Sequence, residues 1–385
     1  MLNNFPTLYP DELFYSALAR YKQMNAIDSK LGLERDVYGI ERHHKVGKSV
    51  YFPQRLGPLI ERLPFYSNLS ADKLIWDHTM FPFYTAFMTM EKTSGIFDAM
   101  KYGNRMSIEN MVGIPMSKIK TPQFLRYCPC CYEEDLNNFG ESYWRRLPQV
   151  PGVLYCPTHQ VLYKESRVDI TTENLDYICA DDDVCSAALF DDVVAAYKAF
   201  DERYVQNVQW LMQNRIRLPQ NYMSSFYIDR LRDAELTSYV GNIKMSEFLE
   251  AFQTYYPEGY LEMMQSAVNL EERNNWLKLF IRNTAKNRSP LRHLLMLQFL
   301  NVPLDKLFEI EPVIGKRVRK RSNRVPIYSS KERKEQWLML ISKHPNANRK
   351  ELSRINNGLF AWLRIHEREW FDEVTPKGRK GRNQK

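Results

Sequence analysis

No run of about 18 apolar residues occurs in this chain, and its opening, MLNNFPTLYPDELFYSALAR, lacks the basic start and apolar stretch of a secretory leader. A cytoplasmic protein without a membrane partner is therefore expected. Glycine is scarce, with 15 among 385 residues. There is no G-x4-G-K-[ST], no G-x-G-x-x-G before a helix, no G-x-S-x-G and no H-E-x-x-H. Those absences remove the phosphate-cradling loops, the nucleophile elbow and the zinc-protease helix, so neither an ATPase nor any other enzyme is expected. Six cysteines, unevenly spaced, are too few for a disulfide scaffold and point to a reducing compartment with buried or metal-bound thiols.

What is present is ordinary globular composition, 44% hydrophobic and 26% charged, with enough chain for two or three cores. Disorder, collagen and coiled coil are excluded. The net charge of +8 is unevenly spread. From Ile281 to Lys385 there are 25 Lys and Arg against 10 Asp and Glu, whereas residues 1–280 carry 29 against 36. A basic end of that kind suits a polyanion, and the acidic remainder suits another task.

The pattern along the chain predicts a mainly α, multidomain fold with a small zinc module and helix-turn-helix units. Residues 1–120 form a helical domain: Pro10 suits a first helical position ahead of Leu13, Phe14, Leu18 and Tyr21, and Ser70 opens a helix through Leu74, Ile75 and His78. Residues 121–165 are turn-rich and form the zinc module. Residues 166–315 return to helical periodicity, with possible helix-turn-helix units, and 316–385 hold a basic linker, a C-terminal helix-turn-helix and a basic tail. There, Ser329 with Glu332 forms a capping box for a helix through Trp337, Leu338 and Ile341 that stops before His344-Pro345. Asn348 with Glu351 opens a second helix, which stops at Asn357-Gly358. LFAWLRIHEREWF gives the third, with Leu359, Leu363, His366 and Trp370 on its inner stripe.

Cys128 and Cys131 stand as C-x2-C, and Cys156 and His159 as C-x2-H, each pair in a Cys-Pro turn. Four such donors can close a tetrahedron around zinc with no position left for water, which makes the expected ion structural, one per chain. Cys130 is an alternative to Cys131, since CPCC offers both. Cys179 and Cys185, with the five residues ADDDV between them, read as free thiols, with a second weak metal site as the minority reading. His78 reads as a core histidine, and His43 and His44 as solvated or phosphate-contacting. Asp181, Asp182 and Asp183 read as a surface loop; a nuclease using them is a third, weaker functional reading, because no second acidic cluster has two-metal spacing.

The outer face of the third terminal helix carries Asn357, Ala361, Arg364 and Arg368. Asn reads adenine and Arg reads guanine, while Ala361 or Ile365 suits a thymine methyl. The plain counter-reading is a solvated face on which Glu367 and Glu369 balance the arginines. Phosphate contacts would come from Lys316, Arg317, Arg319, Lys320, Arg321 and Arg324 on one side and from Lys377 to Lys385 on the other. Asn242 to Met264 and Ser289 to Phe308 are further candidates for DNA contact, and read equally well as packing helices.

FPTLYPDELFYSALARY, LIWDHTMFPFYTAF, RYCPCCYEEDLNNFGESYWRRLPQVPGVLYCPTH and ELSRINNGLFAWLRIHEREWF together resemble the TniQ/TnsD family of transposon target-selection proteins. The resemblance implies a non-enzymatic adaptor that recognises an attachment site in double-stranded DNA and recruits an AAA+ ATPase regulator, through which the transposase is activated. It places the family's zinc site on Cys128, Cys131, Cys156 and His159. Two departures stand out: many relatives have a further cysteine knuckle soon after the first, and longer selectors continue beyond the block ending near Phe371, so this is either a shorter member or a trimmed chain. The alternative is a zinc-containing DNA-binding transcription regulator.

Overall fold

The structure is a computed structural model that describes residues 2, 4–39, 49–64, 67–104, 106–172, 175–186, 197–216, 218–219, 222–239, 241–272, 274–282, 289–308 and 329–376. His43, His44, the basic run Lys316 to Arg324 and the tail Lys377 to Lys385 lie outside the described residues. The fold is mainly α. Among the described residues the one sheet has two antiparallel strands, Phe124–Tyr127 and Lys164–Asp169, with Arg126 opposite Glu165 and a register shift between Phe124 and Arg126. The chain divides into two compact units, Met1–Ile314 and Gly315–Lys385.

In the first unit a single apolar cluster runs from the opening helix through the turn-rich segment to the helices beyond it. The opening helix spans Phe14–Met24 and starts four residues later than Pro10 suggests. Tertiary pairing wins over local propensity there: Glu12 bridges Arg145, and the Leu13 amide donates to the Trp144 carbonyl at 2.8 Å. Asp11 takes a φ of 57° and cannot be helical. Ser70 caps Ala71–Asp77 as its sequence position suggests, its side chain accepting from the Lys73 amide.

The Pro290–Phe299 helix packs against Phe81–Thr85 and Lys198–Gln213. Every residue from Pro290 to Gln298 is buried, so this segment offers no face to DNA. His293 lies inside it, with Nδ1 2.8 Å from the Tyr227 hydroxyl and its ring stacked 4.4 Å from Phe87. The Met245–Tyr255 helix buries Phe248, Leu249 and Phe252 and turns Glu247 and Glu250 outward, with Lys244 Nζ 3.0 Å from Glu247.

Among its described residues the second unit has four helices where the sequence suggests three: Ser330–Lys343, Arg349–Ile355, Asn357–His366 and Arg368–Val374. They enclose Trp337, Leu352, Leu359, Leu363 and Phe371. Asn348 and Glu351 form a complete capping box. Ser329 is an N-cap by backbone only, without a side-chain hydrogen bond. Asn357-Gly358 is not a stop: Asn356 accepts from the Leu359 amide at 3.0 Å and opens the third helix at Asn357. That helix breaks at Glu367, whose φ is −137° and ψ 47°. The Glu367 carboxylate is drawn to the first helix, 2.7 Å from Lys334 Nζ, and accepts from the Ser330 hydroxyl. His366 is exposed against Trp362 rather than turned inward.

Candidate functional site

Strand Phe124–Tyr127 delivers Cys128 to the start of the Pro129–Phe139 helix, where its Sγ accepts from the Cys131 amide at 3.5 Å. Pro129 at the first helical position fixes that turn, and one helical turn brings Cys131 beside Cys128. The second knuckle is a tight loop closed by Cys156 N to Val161 O at 2.8 Å and Gln160 N to Cys156 O at 2.8 Å. It carries Cys156 and His159 to the same point.

The four ligand atoms lie within 4.8 Å of one another. Cys131 and Cys156 sulfurs are 3.7 Å apart, and His159 Nδ1 is 3.5, 3.4 and 3.6 Å from Cys128, Cys131 and Cys156. Zinc bonded at about 2.3 Å to sulfur and about 2.0 Å to nitrogen needs tetrahedral edges of about 3.8 Å between sulfurs and about 3.5 Å from sulfur to nitrogen. Four of the six edges of the cluster therefore match a zinc-sized tetrahedral ion. Cys130 is half-buried and outside the cluster.

Three thiols this close compete for protons. Hydrogen bonds with Cys128 and Cys131 pull Cys156 far below the ordinary thiol range, and those with Cys128 and Cys156 push Cys131 far above it. A dication at the centre would relieve that conflict by favouring all three thiolates. Glu134, one turn beyond Cys131, holds His159 Nε2 at 3.0 Å from its Oε1 and so leaves Nδ1 for the cluster. The sequence reading missed Glu134; its spacing from Cys131 was the available signal.

Ion pairs clamp this module to the opening segment: Asp11 takes Arg146 at 3.0 Å, and Arg20 joins buried Glu12 to Glu141 at 3.0 and 2.6 Å. Within the module, Asp135 takes Arg145 at 2.6 and 2.7 Å, and the Gln149 amide bonds Arg126 N and O at 3.0 and 2.8 Å. His78 is buried, with Nδ1 2.9 Å from the Glu12 carbonyl, and burial draws its basicity down. It is a packed core residue.

Cys179 and Cys185 are free thiols pushed up to about 12 by burial, and among the described residues neither belongs to a metal-sized donor cluster. Asp182 accepts from the Tyr132 hydroxyl at 2.7 Å, and Asp181 closes its own turn through the Asp183 amide at 3.1 Å. The acidic loop thus braces the knuckle helix.

In the second unit, Asn357, Ala361, Arg364 and Ile365 are exposed along the Asn357–His366 helix. The break at Glu367 removes Arg368 from their row; it is exposed at the start of the next helix, 4.0 Å from Asp372. Arg364 has no acidic partner among the described residues.

Comparison with known proteins covers the donor cluster with a family match, and the helices from Ser330 to Val374 lie beyond both family matches. Residues 4–162, which include the whole donor cluster, match the TniQ family, and residues 205–317 match the family described as Tn7-like transposition protein D. The chain is also 26% identical over 396 positions to the transposon Tn7 transposition protein TnsD of Escherichia coli, across 96% of this chain and 73% of that protein.

Proposed function

The chain belongs to the TniQ/TnsD family and is a Tn7-like transposition target-selection protein rather than an enzyme; on that premise we propose that it reads an attachment site in double-stranded DNA with its C-terminal unit and recruits an AAA+ ATPase regulator with its first. The observation that carries the DNA reading is the exposed face of Asn357–His366, where Asn357 and the unpaired Arg364 stand in a compact helix-turn-helix arrangement. Those side chains offer the bidentate donors and acceptors that major-groove edges require. Arg368, Lys316, Arg317, Arg319, Lys320, Arg321 and Arg324 supply phosphate contacts that hold the register.

Cys128, Cys131, Cys156 and His159 hold one structural zinc ion per chain. Bound there, zinc ties the start of the Pro129–Phe139 helix to the loop that carries Cys156 and His159, with all four positions filled by protein. The acidic surface of residues 1–280 is poorly suited to DNA and well suited to a protein partner. Activation of the transposase follows indirectly, through that regulator.

Footprinting on the insertion site of the host element tests the reading. A protected sequence that is lost in the Arg364→Ala variant supports it. Uniform, sequence-independent protection by both proteins refutes it.

A further inference from the structure

The Ser330–Lys343 helix exposes apolar side chains on the face turned away from its core. Its inner face is taken up by Trp337, which is fully buried, and by Leu340 and Ile341, which pack against it. On the opposite side Leu338 is 48% exposed and Met339 56% exposed, adjacent on a surface that is otherwise polar. Glu335 and Lys343, one turn before and one turn after Met339, are exposed as well. Among the described residues neither has an ion-pair partner.

Residues four apart share a helical face, so Glu335, Met339 and Lys343 form one stripe with an acid at one end, an apolar centre and a base at the other. Such a stripe is complementary to its own reverse. A two-fold axis at Met339 that lays two copies of the helix antiparallel brings Met339 onto Met339, sets Glu335 opposite Lys343 twice, and leaves Leu338 of each copy on the same side of the seam. Within the stripe no like charges meet. A parallel pairing would put Glu335 on Glu335 and Lys343 on Lys343, which disfavours it. We propose that this face binds a second copy of the chain, through an antiparallel, two-fold pairing of Ser330–Lys343. One helix pair falls below roughly 1,200 Å2 of buried surface, the range of weak association, so monomer and dimer should exchange. Where the DNA reading above also holds, the pair presents two Asn357–His366 helices to inverted half-sites; the pairing itself does not depend on that reading.

Sedimentation equilibrium of the zinc-loaded full chain without DNA tests the pairing. The parent should pass from monomer to dimer as its concentration rises, and Met339→Lys should stay monomeric. Glu335→Lys or Lys343→Glu alone sets like charges against each other twice and should weaken association roughly tenfold or more. The two together exchange the ends of the stripe and should restore it. All three positions are exposed, so circular dichroism and the thermal midpoint should not move. Should Met339→Lys fail to fold, the charge exchange still decides. A parent that stays monomeric at every concentration overturns the proposal, as does a dimer indifferent to these substitutions or a double reversal no tighter than the singles. A monomeric parent that Met339→Lys destabilises has this face covered by its own chain, which overturns the pairing too. Since DNA is absent, none of these outcomes touches base reading by Asn357–His366.

Discussion

A histidine has two ring nitrogens, and a metal site needs one of them facing inward every time the protein folds. Glu134 provides that constancy by engaging His159 Nε2. Glu134→Gln should therefore lower zinc affinity roughly 10- to 100-fold, measured by competition with a chromophoric chelator, with the fold otherwise unchanged. An unaltered affinity would reduce Glu134 to a surface carboxylate. Cys156→Ser, which removes a ligand outright, should cost soluble yield and the single zinc found by elemental analysis. At the other end of the chain, Arg364 and Arg368 no longer count as equivalent. Arg364→Ala should lose roughly 1 to 3 kcal/mol of discrimination between the attachment site and scrambled DNA. Arg368→Ala should weaken both duplexes alike, and competition binding separates the two outcomes.

Among the elements, the short helices of the second unit depend on their ends. Asn348→Ala removes the cap that accepts from Lys350 and Glu351 amides, and should cost about 1 kcal/mol in the melting of that unit. Glu367 sets the other boundary. Its hydrogen bond from Lys334, then that from Ser330, hold its carboxyl below the usual range. A depressed acid contributes stability above its ordinary range and loses it as pH falls through the folded value. The second unit should accordingly soften on acidification, and Glu367→Gln should flatten that part of the pH profile. These two positions also mark where sequence is legible. Asn348 and Glu351 are three residues apart, so the box is written locally. The break at Glu367 depends on Lys334 and Ser330, which lie over thirty positions away, and no periodicity carries that information. The donor cluster was readable because knuckle spacing is local in each half. Glu134 matters only through what folding brings beside it.

At the scale of the molecule, charge is divided along the chain, and the basic C-terminal stretch should make DNA affinity fall steeply with salt. Deleting Lys377 to Lys385 should flatten the plot of log affinity against log salt while sparing sequence preference; an unchanged slope would take the tail off the duplex. The Pro290–Phe299 helix has a different kind of consequence. It is buried on every side, and it meets Phe81–Thr85, which lies within the part matching TniQ. A ribosome making this protein must therefore expose an aliphatic and aromatic slot for more than two hundred residues of synthesis before its plug emerges. The nascent chain should bind hold-type chaperones throughout that interval and release them only once Phe299 has cleared the exit tunnel.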